Sequence, residues 1–434
     1  MKARNAELSM LILATVIAAG TLALVDLAER TTVAPESFGF ALMFSGLAFA
    51  GHLAVRRYAP TADPVLYPLA VVLAGFGLGM IRRLSPDLAS AQLGWFAISI
   101  GAFVLTLAVV RNHRTLEQFR YLLMLAGIGL LLLPLTPIGT DLDRSARLWV
   151  QLGGMTFQPA EIAKIVLATF LAGYLASKRE VMNISTLRLG PIGVPAPRHF
   201  GPLVLAWILS LAVMFYERDL GSSLLFFSLF IVMLYVATSR GIYVFTGFAM
   251  FGAGVWYAYK SFPHISTRVC AWLDPWSTNI NDPCGILQNG RQIAQSAFAL
   301  GTGGFTGVGL GLGHPEQIDP GLASGTLPTD FIFAAIGEEL GLLGTVAVLL
   351  LFGLIVARGM HIALRSRDTF GTLLAAGLTV IVGLQAFLIM AGVSRMLPLT
   401  GITLPFISYG GSSLLANFVL IALLVRISNA EGAS

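Results

Sequence analysis

Asp330 is the residue of this chain best placed for proton chemistry. It ends the tripeptide Pro328-Thr329-Asp330 and stands immediately before a long apolar run, Phe331 to Ala357. A carboxylate at the threshold of a membrane helix costs far less than one at its centre, yet it is still screened from bulk water. That is a good position for a general base, and equally for a ligand to a divalent cation.

Other ionisable groups sit in apolar surroundings. Glu161 and Lys164 in QPAEIAK are three residues apart at the start of a predicted helix, hence on one face, where each neutralises the other. Such a pair either orients two helices or binds an anionic substrate. In the run that Asp330 opens, Glu338 lies about 80° around an ideal helix from Asp330 and about 12 Å deeper, and Glu339 about 180° around. Glu338 is therefore expected to share the cavity of Asp330, and Glu339 to pair with another helix or face the cytoplasmic half. Glu217, Arg218 and Asp219 in ERDLGSS form a charged cluster in a short turn. There Asp219 is placed to cap the next helix, on the same side as Asp330.

The segment Gly301–Gly313 holds seven glycines in thirteen residues. Backbone N–H groups in such a run can approach a phosphate. The run spells neither G-x-G-x-x-G nor a P-loop, however, and lies across the membrane from ATP, so no nucleotide is implied and a tight, close-packed loop is expected. The six histidines are dispersed without metal-ligand spacing, which speaks against a protein-built transition-metal site.

The elements that must position these residues follow from composition. The 434-residue chain is 56% hydrophobic and 11% charged, with mean hydropathy +0.81. A soluble domain carries about 25% charged residues, so this is an all-α polytopic membrane protein. Its net charge of +5 is spread singly or in pairs between apolar segments, with no basic stripe and no interleaved aromatics, which excludes nucleic acid as a partner.

With about 20 residues per span, twelve helices are expected. They fall near 8–28, 37–55, 64–81, 91–110, 120–137, 161–177, 202–216, 221–238, 242–259, 331–357, 370–394 and 403–426. The first run is long and followed by others, so it reads as a retained anchor rather than a cleaved signal. If the N-terminus is cytoplasmic, the greater part of the 27 Lys and Arg residues falls inside, among them Arg4, Arg56, Arg57, Arg111, Arg114, Arg358, Arg365 and Arg367. The positive-inside rule then puts both termini in the cytoplasm.

That orientation places the longest loop, 260–330, outside, with an expected helix around Gln292 to Leu300. The chain's two cysteines, Cys270 and Cys284, both lie in this loop, where an oxidising compartment lets them pair. Loops of this length are usually functional or disordered, and the apolar content of this one marks it as ordered.

Six stretches together resemble a known family: QPAEIAK, ERDLGSS, the DPW and DPCG loop followed by Gln295-Ser296, GTGGFTGVGLG, TDFIFAAIGEELG and LPLTGITLPFISYGGSSL. In this order they look like the SEDS proteins (shape, elongation, division and sporulation), over residues 64–427. The family pattern has ten membrane helices, so residues 1–60 are expected to be two additional N-terminal helices, and 428–434 a short cytoplasmic tail. The chain departs from the pattern at Arg218, where Pro is usual, in SARLW, and in a longer stretch before Asp330.

The resemblance implies a peptidoglycan glycosyltransferase of the cytoplasmic membrane. Such proteins polymerise lipid II at the outer face, together with a class B penicillin-binding protein. The extra helices and short tail lean toward RodA-type elongation over FtsW-type division. It also implies that Asp330, in TDFIFA, is the essential aspartate.

The chemistry agrees. Joining sugars requires a 4-hydroxyl to attack C1 of a donor whose leaving group is lipid pyrophosphate, and that hydroxyl needs a base. One carboxylate suffices when the leaving group is already a good anion, unlike glycoside hydrolysis. Lys164 and Arg268, or a bound Mg²⁺ or Mn²⁺ for which Asp330 is the candidate ligand, would stabilise the pyrophosphate. Glu161, Asp219, Gln295, Thr329 and Glu338 are expected to shape the cavity, and Ser408 and Ser412, with Gly410 and Gly411, to line it. Two other classes remain at this stage: a lipid flippase or transporter with broken helices, and a structural scaffold that would not need these groups ionisable.

Overall fold

The computed structural model describes residues 2–140, 148–152, 155–183, 187–189, 192–194, 204, 207–208, 211–212, 219–276, 288–320 and 325–432. Its described helices are α1 (Lys2–Arg30), α2 (Pro35–Tyr58), α3 (Leu66–Leu84), α4 (Pro86–Val109), the short α5 (Thr115–Gln118) and α6 (Arg120–Leu132). After these come α7 (Pro159–Asn183), α8 (Leu220–Thr238), α9 (Gly241–Ser261), α10 (Pro263–Leu273) and α11 (Gln288–Gly303). The chain ends with α12 (Ile332–Arg365), α13 (Thr369–Val393) and α14 (Gly411–Gly432).

Among the described residues ten helices are long and apolar enough to cross a membrane: α1 to α4, α7 to α9 and α12 to α14. The span expected at 120–137 is instead the shorter α6 and a 3-10 turn, Leu133–Leu135, because Pro134 cannot continue an α-helix. The span expected at 202–216 lies largely outside the described residues, as do Glu217, Arg218 and Cys284. Strands β1 (Gly139–Thr140), β2 (Trp149–Leu152) and β3 (Met155–Phe157) make a small antiparallel sheet before α7. A hairpin of β4 (Leu187–Leu189) and β5 (Ile192–Val194) follows α7.

The core is built on α3, α13 and α14, which are buried along most of their length, whereas α9 is almost wholly exposed and turns Phe245, Phe248, Trp256 and Tyr257 outward. Small residues set how closely α3 is approached. A Cβ on Gly75 would lie 2.6 Å from the Ala18 side chain of α1, and one on Gly77, on the other face, 2.5 Å from the Ile407 carbonyl oxygen. Glycine at both positions lets α1 and the segment before α14 close on α3 from opposite sides.

The long α12 is two pieces. Gly341 has φ 63° and ψ −160°, a conformation outside the helical region that a side chain would strain. Residues 332–339 before the break are all buried, while Leu342, Leu343, Leu349, Leu350 and Leu354 beyond it are exposed. At 1.5 Å per residue an unbroken helix of this length would run about 50 Å, well beyond the ~30 Å apolar thickness of a bilayer. The break therefore separates a buried entry segment from the true span. It is filled by the glycine-rich run, whose amides at Val308 and Gly309 donate to the carbonyls of Glu338 and Glu339 at 3.1 and 3.0 Å. In return, Leu342 and Leu343 amides donate to the carbonyls of Gly304 and Phe305 at 2.9 and 3.1 Å.

Candidate active site

The segment Thr400–Tyr409 organises the site. Pro405 and a left-handed Phe406 (φ 65°) keep it out of helix, so α14 starts at Gly411 and the span expected from 403 is shorter. Its polar atoms are then available to other elements. Ser408 Oγ donates to the Thr329 carbonyl at 2.5 Å, and the Tyr409 amide donates to the Pro328 carbonyl at 2.9 Å. The Pro328–Asp330 turn is thereby fastened at two points. A third comes from within, since the amide of Asp330 donates to the Thr326 carbonyl at 2.8 Å.

Asp330 itself is half-buried beside this segment, with Oδ2 3.8 Å from where a Cβ of Gly401 would stand. Burial is the largest influence on its carboxyl and pushes the pKa from 3.8 up to about 6, with the Arg268 charge and the Thr329 hydroxyl pulling partway back. Arg268 comes from α10 and donates to the Thr400 carbonyl at 3.4 Å. That helix is held by Arg395, whose guanidinium donates to the carbonyls of Trp272 and Leu273 at 2.9 and 2.7 Å and whose backbone carbonyl accepts from Trp272 Nε1 at 3.1 Å.

Asp219 approaches from the other side. It caps α8 by accepting from the Ser222 amide at 2.9 Å, and Gly221 lets the helix start close on Thr400, whose carbonyl would be 2.8 Å from a Cβ there. Burial raises the Asp219 pKa, against the lowering hydrogen bonds of Ser222, with Glu161 raising it further and Arg268 lowering it. Arg268 thus acts on both aspartates. A carboxylate near neutrality, a guanidinium and a second buried acid together face one another around Thr400 and Gly401, a set able to take a proton and hold an anion.

The remaining expected residues divide. Lys164 is buried and donates to Glu161 at 2.5 Å and to Gln385 Oε1 of α13 at 2.6 Å. Gln385 in turn donates to the Thr403 carbonyl at 3.0 Å, so Lys164 ties α7 to α13 and to the organising segment. Ser412 accepts from the Gln158 amide at 2.8 Å, seating the start of α7. Thr329 contributes its carbonyl to Ser408.

Glu338 does not join Asp330. Its Oε1 accepts from the His314 amide at 2.9 Å, beside the glycine-rich run. The helical-wheel expectation fails because Asp330 lies in a turn before α12, so 100° per residue does not extend back to it. Glu339 does pair with another helix, through Arg83 of α3 at 3.1 Å, and accepts from the Gly311 amide at 2.8 Å.

Gln295 lines a separate recess of about 320 Å³ with Arg291, Glu316, Gln317 and Pro320. One turn earlier, Gln292 reaches Thr326 Oγ1 at 3.1 Å and so touches the turn that carries Asp330. Cys270 is disulfide-bonded, and the chain's other cysteine is Cys284.

Gln292, Asp319, Thr400, Gln385 and Arg395 were not singled out from sequence. Only Gln292 carried a signal, its place on the face of an expected helix. Asp319 is buried and accepts from the Thr326 amide at 3.2 Å, steadying the same turn.

Known proteins agree with this architecture. The family model described as cell cycle protein, for FtsW, RodA and SpoVE, matches residues 79–432. The peptidoglycan glycosyltransferase RodA of Mycobacterium tuberculosis is 41% identical over 98% of this chain and 90% of its own length. A probable peptidoglycan glycosyltransferase FtsW of a Geobacter species is 33% identical over 84% of this chain and 96% of its own.

In fold, the chain matches one in a solved peptidoglycan synthase complex that coordinates polymerization and crosslinking, with TM-score 0.66 and 23% identity over 85% of this chain and 98% of that one. It also matches a mutant RodA of Thermus thermophilus, with TM-score 0.57 and 22% identity over 85% and 97%. The chain belongs to the SEDS family of cell cycle proteins that includes FtsW, RodA and SpoVE.

Proposed function

We propose that this protein polymerises lipid II into glycan strands at the outer face of the cytoplasmic membrane; the relatives' names supply the peptidoglycan glycosyltransferase activity on which this rests. The observation that carries the reading is Asp330: a half-buried carboxylate whose pKa burial lifts to about 6, on a turn fastened by Ser408 and beside the Arg268 charge. The higher identity to RodA than to FtsW relatives supports an elongation role.

In the reaction, Asp330 accepts the proton of the acceptor's 4-hydroxyl as the oxygen attacks C1 of the donor sugar from the face opposite the lipid pyrophosphate. The C1–O bond to pyrophosphate breaks, the configuration inverts and the departing charge is met by Arg268. A base near pKa 6 is deprotonated at neutral pH and still a competent acceptor. Lys164 acts at one remove, through Glu161 and Gln385, which take two of its three N–H donors and hold its buried ammonium within the protein.

A Mg²⁺ or Mn²⁺ would supply charge to the pyrophosphate. Among the described residues, however, no group of three or more His, Cys, Asp or Glu side chains could hold a metal. The described residues thus offer no cage of three protein ligands; a Mg²⁺ or Mn²⁺ would be held by Asp330 together with the pyrophosphate's own oxygens, and no step is assigned to it.

Asp330 on the outer side leaves Arg358, Arg365, Arg367 and Arg114 on the cytoplasmic side, with both termini, in keeping with the positive-inside rule. A class B penicillin-binding protein is the proposed partner, supported by the likeness to a chain from a complex that coordinates polymerization and crosslinking. Nothing in the geometry favours a flippase, since the broken α12 is plugged by the protein's own backbone.

The test is incubation of the purified protein, with and without its class B penicillin-binding protein, with fluorescent lipid II, resolving glycan ladders on a gel. Ladders from the native protein that vanish in Asp330→Asn support the reading. Ladders that persist in Asp330→Asn overturn the general-base role, and lipid II movement across vesicles without ladders replaces the function.

A further inference from the structure

Helices α1 and α2 lie outside the stretch that the family model matches, yet they are wired to its functional parts. Two routes run inward from α1. The first uses charge. Arg83, at the end of α3, is half-buried and reaches Glu29 of α1 at 3.4 Å, Glu339 of α12 at 3.1 Å and the Gly313 carbonyl at 2.9 Å. Beside it, Arg82 reaches Asp26 of α1 at 3.3 Å, and Asp26 accepts from the Ala34 amide at 2.9 Å, closing the α1–α2 connection.

The same α1 surface touches the glycine-rich run directly. A Cβ on Gly311 would lie 2.6 Å from the Ala28 side chain, and the Gly311 amide donates to Glu339 at 2.8 Å. The run that plugs the break in α12 is therefore pressed between α12 and α1, with Arg83 as the rivet through all three.

The second route uses shape. Ala18 meets Gly75 on one face of α3, and on its other face Gly77 admits the backbone of Ile407. The next residue, Ser408, holds the Thr329 carbonyl, one residue from Asp330. A displacement of α1 thus has a packed path to the catalytic turn from each side. Interiors this close-packed transmit shifts because they have no slack to absorb them.

We propose that the N-terminal hairpin is a brace for the polymerase site: α1, through Ala28, Glu29 and Arg83, fixes the glycine-rich run in the break of α12 and so holds Asp330 in register with Arg268. Glu29, Ala28 and Arg83 are positioning residues on this reading and touch no substrate. The proposal rests on the glycosyltransferase function above. Wild-type activity tests that function, and the hairpin variants test the brace.

The experiment compares full-length native protein with Ala28→Leu, Glu29→Gln, Arg83→Gln and Arg83→Lys, each with its penicillin-binding partner. Ala28→Leu drives a side chain into Gly311, and Arg83→Gln leaves Glu339 buried without its cation. Two readouts are taken: kcat and KM for lipid II polymerisation, and hydrogen exchange of the peptide holding the Val308, Gly309 and Gly311 amides.

Misplacing a reacting group by about 1 Å costs on the order of 10²-fold, so Ala28→Leu and Arg83→Gln are expected to lower kcat about 10- to 100-fold at nearly unchanged KM. Their exchange should speed, with partial rescue of both readouts by Arg83→Lys. Leu42→Ala, at a residue of α2 that is 77% exposed, is expected to leave both readouts as in the native protein.

Native ladders together with unchanged exchange and unchanged kcat in Ala28→Leu and Arg83→Gln would overturn the brace while sparing the polymerase. Should Arg83→Gln fail to fold, Ala28→Leu and Glu29→Gln decide alone. Faster exchange with intact kcat would show that the run is braced but that the site does not depend on it, which also sinks the proposal.

Discussion

Asp330 and Asp368 occupy the same kind of place in the chain, just ahead of a long apolar helix, and have opposite electrostatic fates. Asp368 caps α13 through the Gly371 amide at 2.6 Å and takes His113 and Arg114 at 3.0 and 3.1 Å. Burial would raise its pKa, but these partners outweigh burial and hold it below the usual range. Asp330 caps nothing, feels Arg268 only through charge, has the Thr329 hydroxyl as the one donor that lowers it, and is pushed up to about 6. Several donors that outweigh burial make an aspartate structural, whereas a single hydroxyl and a nearby cation that burial outweighs leave one poised to take a proton.

The largest test of this contrast is substitution by asparagine at both sites. Asp330→Asn is expected to lower polymerisation by about 10²–10⁴-fold, the usual contribution of a general base. Its thermal unfolding temperature should hold or rise, because a poorly solvated charge is removed. Asp368→Asn should do the reverse, keeping activity in the folded fraction and losing about 1–2 kcal/mol of stability for its charged hydrogen bonds, screened as they are at a partly open site. Equal loss of stability in both variants would erase the distinction.

Gly77→Ala comes next. Its Cβ would stand 2.5 Å from the Ile407 carbonyl, and because that atom is backbone the organising segment must move. Overpacking of this kind costs about 1–3 kcal/mol. Activity should fall more than stability does, measured by initial rate against thermal unfolding.

Acidification sharpens the comparison further. The acid limb of kcat/KM should fall as pH drops through about 6, as Asp330 gains its proton. Stability should respond with opposite signs. The contribution of Asp368, whose pKa is lowered on folding, is present above its unfolded pKa and lost as pH falls through its folded one. Asp330, raised on folding, favours the native state below its unfolded pKa, and that benefit fades as pH rises through about 6. Arg268→Gln removes a charge that lowers the Asp330 pKa, so its acid limb should move to higher pH.

The smallest effect is expected at Gln292→Ala. It removes one hydrogen bond to Thr326, about 1 kcal/mol, and should reduce the rate modestly with KM intact. A larger loss there than in Gln295→Ala would confirm which glutamine of α11 serves the turn.

Much of this site was legible in one dimension. Asp330 was visible because an acid directly before an apolar run is rare and costly, and Asp219 because acids cap helices. Lys164 was legible as half of an ion pair, but its second partner, Gln385, is 221 residues away and was not. Glu338 was misplaced because a wheel extended through a turn gives the wrong face.

By itself, the sequence determined the membrane class, most of the spans and the family, and it singled out Asp330 as the candidate acid, since each follows from local hydropathy, spacing or order along the chain. Only the tertiary structure decided what the acids do. Whether a carboxylate is capped, paired or left poised depends on donors brought from distant segments, as Ser408 is brought to Thr329 and Arg83 to Glu339. Long-range packing sets those approaches, and glycines at 75, 77 and 311 permit them without announcing in sequence which surface they admit.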